Sequence, residues 1–85
     1  MSYAISYVPS AAKAIRKLDR STARRLLDEI ESLASDPRPS GCIQLKEGDG
    51  EFRICVGDYR IVYDIQDNEL AVLVLRVGHG RGAYR

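Results

Sequence analysis

The apolar positions of this chain first repeat every two residues, then every three or four, then every two again. At 3–8, "YAISYV" sets Tyr3, Ile5 and Tyr7 against Ala4, Ser6 and Val8, an alternation that predicts a strand. Pro9 and Ser10 end it and open a helix, since proline is tolerated in a first helical turn. In that helix Ala11, Ala14, Ile15 and Leu18 fall on one side. A break at 19–22 offers Ser21 or Thr22 as the N-cap of a second helix. There Ala23, Leu26, Leu27, Ile30, Leu33 and Ala34 form an apolar stripe, and Pro37 and Pro39 stop it. The short gap between the helices predicts an antiparallel pair.

From 40 to 50 the pattern is that of a loop, with "CIQL" at 42–45 readable as one short strand. "EFRICV", "YRIVYDI" and "LAVLVLRV" then predict three strands, turning at Gly57-Asp58 and Asp67-Asn68. The expected architecture is α+β. An N-terminal strand and an antiparallel helix pair precede a mostly antiparallel sheet of three to four strands, all in a single domain over 1–85. The helices should cover one face of the sheet and leave the other to water or a partner.

With Gly57-Asp58 as a two-residue turn, Val56 pairs with Tyr59, Cys55 with Arg60, Ile54 with Ile61, Arg53 with Val62 and Phe52 with Tyr63. Directly opposed residues share a face, so Phe52, Ile54, Val56, Tyr59, Ile61 and Tyr63 should meet the helices. Arg53 and Arg60 then lie on the other face as diagonal neighbours, roughly 7–8 Å apart at the backbone. Two readings are open for them: charges on a solvated sheet face, or a pair of guanidinium groups converging on one phosphate. Cys55 and Val62 on the same face point to a surface meant to be covered.

Composition narrows the classes. At 45% hydrophobic and 29% charged the chain is that of a folded domain, and a net charge of +1 excludes a broadly polycationic nucleic-acid binder. The longest apolar run, "LAVLVL", is too short for a membrane helix, and the N-terminal residues do not resemble a signal peptide. Cys42 and Cys55 lack ligand spacing beside a single histidine, so neither metal nor cofactor is expected, and both thiols should be reduced in a cytoplasmic protein. Cations are nevertheless concentrated. Lys13, Arg16, Lys17, Arg20, Arg24 and Arg25 share one stretch with Asp19 alone, which is either a solvated helix face or a surface for docking on ribosomal RNA. The closing "VGHGRGAYR" carries His79, Arg81, Tyr84 and Arg85 without an acid. Such groups donate to, and move protons around, a phosphodiester whose 2′-hydroxyl can be the nucleophile, although a frayed terminus would look the same.

"YAISYVPSAAKAIRKLD", "DPRPSG", "FRICVGDYRIVYDI" and "LVLRVGHGRGAYR" together resemble the RelE/ParE superfamily of bacterial type II toxins, closest to its RelE-like branch, over essentially the whole chain. The resemblance implies a RelE-like microbial RNase type fold. It also implies a metal-independent, ribosome-dependent mRNA endonuclease, which cleaves A-site codons by attack of the ribose 2′-hydroxyl on the adjacent phosphate. By the same resemblance Arg53 and Arg60 would hold the scissile phosphate, Arg81 would protonate the leaving oxygen or stabilise charge, and Tyr84 would orient the 2′-hydroxyl and stack on a base. Lys46, before the central hairpin, would touch ribosomal RNA, as would His79, Arg85, Lys13, Arg16 and Lys17. The partners implied are a cognate antitoxin, the ribosome with its mRNA, and operator DNA reached only through the antitoxin complex. Cys55 stands where many active relatives carry a second basic residue, and Gly80 where an arginine commonly follows the histidine. Two other readings stay open: a ParE-like inhibitor of DNA gyrase with no RNA chemistry, and a non-toxic homologue kept as a regulator.

Overall fold

The computed structural model describes residues 2–45 and 51–79. Its elements run β1 (Ala4–Tyr7), α1 (Pro9–Arg16), α2 (Arg20–Ser32), β2 (Ile43–Gln44), β3 (Glu51–Val56), β4 (Tyr59–Gln66) and β5 (Ala71–His79). The strands form one sheet in the order β1-β5-β4-β3-β2. Every neighbouring pair is antiparallel except β1 with β5, which run parallel with Ile5 beside Val72 and Tyr7 beside Val74. The optional strand at 42–45 is therefore present as β2, an edge of two residues. The N-terminal strand joins the same sheet rather than standing apart.

Both helices lie on one face, α1 against β5 and α2 against β3. Ala11, Ile15, Leu26, Ile30 and Leu33 meet Phe52, Ile54, Val56, Ile61, Tyr63, Ile65, Val72 and Val74 in one core. At ~25 cal/mol per Å² of apolar surface withdrawn from water, this layer contact is the main term holding the fold. The stripe on α2 behaves as its period requires, with Leu27 at its margin and 36% exposed.

Two local details differ from expectation, and a third is one that no pattern in the sequence predicts. The N-cap of α2 is Asp19, neither Ser21 nor Thr22. Its backbone is extended, and its carboxylate accepts from the Thr22 amide at 3.1 Å and the Ser21 hydroxyl at 2.9 Å. A carboxylate at a helix N-terminus also meets the positive end of the dipole, which a hydroxyl cannot exploit. Hydrogen bonds from the Thr22 hydroxyl first, then from its amide and from Ser21, hold the carboxyl down to about 2. The β4–β5 connection is no two-residue turn at Asp67-Asn68. Asp67–Glu69 form a single 3-10 turn, and Leu70 leaves it at φ +51°, so that β5 starts at Ala71. Finally, the β4–β5 ladder shifts register between Val62 and Tyr63. Tyr63 pairs with Val74 and Val62 with Arg76, which leaves Leu75 as an extra residue in β5.

Behind β2 the chain is tied down at two points. The Tyr63 hydroxyl, buried, donates to the Pro37 carbonyl at 2.8 Å. Arg38 grips Asp67 with Nη1 at 3.3 Å and Nη2 at 2.8 Å, and its guanidinium lies 5.2 Å from the centre of the Phe52 ring. The Tyr3 hydroxyl donates to the same carboxylate at 2.7 Å. Arg38 first, then Tyr3, hold the Asp67 carboxyl below the usual range. Of the described helices, none is long and apolar enough to cross a membrane.

Candidate functional site

The hairpin of β3 and β4 builds the site. Gly57, at φ +60°, takes the first turn position, while Asp58 stays outside the left-handed region, the combination a II′ turn requires. A Cβ at Gly57 would also come within 3.2 Å of the Arg25 guanidinium, which reaches over the turn from α2. With the turn set, the ladder pairs Glu51 with Asp64, Phe52 with Tyr63, Arg53 with Val62, Ile54 with Ile61, Cys55 with Arg60 and Val56 with Tyr59. The expected register is observed throughout. Phe52, Ile54, Val56, Ile61 and Tyr63 are buried beneath the helices and Tyr59 is half-buried there.

Arg53 and Arg60 therefore stand together on the face that no helix covers. Both are half-buried, and the Nε atoms of both are shielded from solvent. That of Arg60 meets no hydrogen-bond donor or acceptor among the described residues. Exposed Cys55 faces Arg60 directly, and Ile43 on the β2 edge, 47% exposed, faces Arg53.

A residue the sequence did not single out joins them. Val62 is flanked in register by Arg53 on β3 and by Arg76 on β5. Arg76 is exposed. Alternation counted from buried Val74 would send Arg76 inward against the helices. The bulge at Leu75 turns it to the open face instead, while Val77 returns inward opposite Ile61. Only the ladder shift reveals this, and no feature of "LVLRVG" announces it. Val62 itself is 2% exposed although it lies apart from the helix-side core. Of the described residues, its neighbours on this face are Arg53 and Arg76 across the ladders and Arg60 and Asp64 along β4, and arginine stems are long enough to help shield an apolar side chain.

Charge on this face is divided along the strands. Glu51 and Asp64, directly opposed, occupy the end of the hairpin where β3 begins, and the Gln66 amide donates to Asp64. The three arginines take the other half. Between described residues, neither Arg60 nor Arg76 enters an ion pair. The arrangement is a cationic patch around a buried valine, fit to receive a multiply bonded anion such as a phosphodiester.

The remaining sequence-derived candidates lie elsewhere. His79 pairs with Tyr59 and its ring packs edge-on against the Tyr59 ring at 5.5 Å, on the helix side of the sheet, so the structure does not bring it to Arg53 and Arg60. Lys13 and Arg16 on α1 and Lys17 just after it are exposed on the helix layer, across the sheet from the arginines. Lys46, Arg81, Tyr84 and Arg85 fall outside the described residues. A cavity of about 260 Å³ opens beside β3, lined in part by Glu29, Ser32, Ile54 and Cys55, and among the described residues it gathers no cations.

Comparison with known proteins gives a consistent result. "Toxin RelG" of Mycobacterium tuberculosis (strain ATCC 25618 / H37Rv) is 28% identical over 86 residues, covering 100% of this chain and 99% of its own. The structure is similar to the archaeal RelE–RelB complex from Pyrococcus horikoshii OT3, with a TM-score of 0.84 at 27% identity over 98% of this chain and 100% of that one. It is similar to the isolated E. coli RelE toxin, with a TM-score of 0.81 at 26% identity over 99% and 87% of the two chains. Residues 5–84 match the family described as "ParE toxin of type II toxin-antitoxin system, parDE". The two-helix, five-stranded architecture, the RelE neighbours and a family match along nearly the whole chain place this protein in the ParE toxin family of type II toxin–antitoxin systems, within the RelE/ParE superfamily and structurally close to RelE.

Proposed function

We propose that the protein is the toxin of a type II module and cleaves mRNA in the ribosomal A site. The observation that carries this reading is the juxtaposition of Arg53 and Arg60 on the helix-free face, with the Arg60 Nε shielded from solvent and without a hydrogen-bond partner among the described residues. In the reaction the ribose 2′-oxygen attacks phosphorus and the 5′-oxygen leaves. A 2′,3′-cyclic phosphate and a free 5′-hydroxyl result, and a proton passes from the nucleophile to the leaving group. Arg53 and Arg60 hold the phosphate and stabilise the charge that builds on it, where one lost donor costs about 10²–10³ in kcat. Tyr84 orients the 2′-hydroxyl and Arg81 serves the leaving oxygen, in line with the resemblance. The nucleophile belongs to the substrate and guanidinium groups supply the positive charge, so the chemistry calls for no metal.

Lys46, Arg85, Lys13, Arg16 and Lys17 are assigned to ribosomal RNA, and His79, on the helix side, to the same role and not to the phosphate. RelE of Pyrococcus horikoshii and a RelE of Mycobacterium tuberculosis were each solved as a complex with antitoxin. A cognate antitoxin is accordingly the proposed partner, the cytoplasm the proposed site of action, and operator DNA is reached only through the antitoxin complex. The matched family is named for ParE, which favours a second reading, inhibition of DNA gyrase. Expression without antitoxin, with mapping of RNA ends and of plasmid supercoiling, separates the two. Cleavage within translated codons supports the endonuclease; growth arrest with intact messages and altered supercoiling supports the gyrase inhibitor and overturns it.

A further inference from the structure

We infer that Arg76 holds a second RNA phosphate, next to the scissile one, and that Arg60 is shared between the two seats. The inference deepens the endonuclease reading and rests on it. Its geometry comes from the ladders. Arg53 opposes Val62, Arg76 opposes Val62 from the other side, and Arg60 precedes Val62 by two residues on β4. Arg60 is thus a diagonal neighbour of both, at roughly 7–8 Å each way. Arg53 and Arg76 are two strand spacings apart, about 10 Å. The patch therefore consists of two arginine pairs, 53/60 and 60/76, meeting at Arg60, and not of three cations around one point. Two anions spaced along a strand suit it better than one.

Two further observations point the same way. The bulge at Leu75 interrupts the β4–β5 ladder at the one step needed to turn Arg76 outward. Bulges that re-aim a side chain occur beside functional sites. Val62 is 2% exposed at the centre of this face, so the arginines stand next to a buried apolar side chain. Charge-assisted hydrogen bonds from partly shielded groups such as the Arg60 guanidinium are stronger than those formed in open solvent. The acids of the face, Glu51 and Asp64, lie beyond Val62, on its far side from Arg60. Glu51 and Asp64 flank Arg53 on that side, which biases an RNA strand toward the Arg60 end of the patch. A flanking phosphate held in this way positions the codon and adds binding that is equal in ground and transition states.

The test uses the full chain and a single-stranded RNA 10-mer with 2′-O-methyl riboses, which binds but cannot be cleaved. Fluorescence anisotropy from 20 to 300 mM salt gives the slope of log K against log[salt]. Arg76→Gln should lower that slope by about 0.7, the loss of one phosphate contact on a single strand. Arg76→Lys, which keeps the charge, should retain most of it. On programmed ribosomes Arg76→Gln should raise the half-saturating ribosome concentration about tenfold, as expected for a lost hydrogen bond to a charged group. Its kcat should move far less than that of Arg60→Gln. Melting curves report that each variant folds. An unchanged slope together with unchanged ribosome saturation overturns the inference and leaves the endonuclease reading intact. No cleavage by the wild-type protein defeats that reading, while the 10-mer still reports on Arg76. If Arg76→Gln leaves the RNA slope unchanged but weakens binding of an alternating Asp/Glu peptide, the face docks an acidic protein segment and the inference fails.

Discussion

Replacing Tyr63 with phenylalanine removes a single oxygen from a ring that is fully buried, stacked beside Phe52 with centroids 6.1 Å apart. Packing is retained. The loss is the 2.8 Å hydrogen bond to Pro37, whose carbonyl is left without that donor beneath the segment leading to β2. An acceptor stranded in this way costs about 1–3 kcal/mol, and about 1.5 lowers Tm by roughly 6–12 °C in a domain of this size. The effect should reverse at high pH. Burial, and then the nearby Cys42 thiol, hold the Tyr63 phenol above its ordinary range. A group whose folded pKa is raised stabilises fully below its unfolded value of about 10, and that contribution is lost as pH climbs toward the folded value. The loss is about 1.4 kcal/mol per pH unit, and phenylalanine is spared it. The stability curves of wild type and Tyr63→Phe should therefore cross near pH 11. Tyr3 is shifted upward by its bond to Asp67 and Tyr7 by burial, but both are present in each protein and cancel in the difference. Urea unfolding followed by circular dichroism from pH 7 to 11.5 measures it. Parallel curves would show that Tyr63 ionises as readily folded as unfolded. Equal stability at pH 7 would show that the hydroxyl does not anchor Pro37.

Other outcomes follow from the same geometry. Asp19→Ala should lower Tm by a few degrees through loss of the α2 cap, and Asp19→Asn by less. Because the Asp19 carboxyl is held down to about 2, its stabilisation is complete above pH 4 and fades as pH falls toward 2. Thermal melts at pH 2.5 and 6 should show Asp19→Asn closing on wild type at the lower pH. Gly57→Ala forces a side chain into φ +60° against Arg25, and should cost about 1–2 kcal/mol by chemical denaturation. Arg60→Ala should reduce cleavage on programmed ribosomes about 10²–10³-fold, with antitoxin binding retained, measured by primer extension and titration. Tyr84→Phe should also relieve toxicity on induction; full cleavage by that variant would remove tyrosine from the mechanism.

What could be read from the sequence was whatever short-range chemistry decides. The stripe on α2 needed only the 3.6-residue period. The β3–β4 register needed only Gly57 at a position requiring positive φ, followed by strict alternation on either side. Arg53 and Arg60 were placed on one face by those two facts. The resemblance carried the family and named Arg81 and Tyr84, which fall outside the described residues.

Tertiary structure decided the rest, because it turns on competition between distant segments. Asp19 captured the α2 cap, since the helix began one residue after it. Leu70 is drawn into the left-handed region where the β4–β5 connection closes, and its carbonyl accepts the Ala4 amide that admits β1 to the sheet. Arg76 and His79 exchange the faces that simple alternation from Val74 assigns them. Val72, Val74 and Val77 must all reach the helices, and a regular strand cannot bury all three while keeping a guanidinium out of the core. One extra residue resolves that conflict, and where it sits is set by the packing of β4, β5 and the helices together, which no local pattern in the chain records.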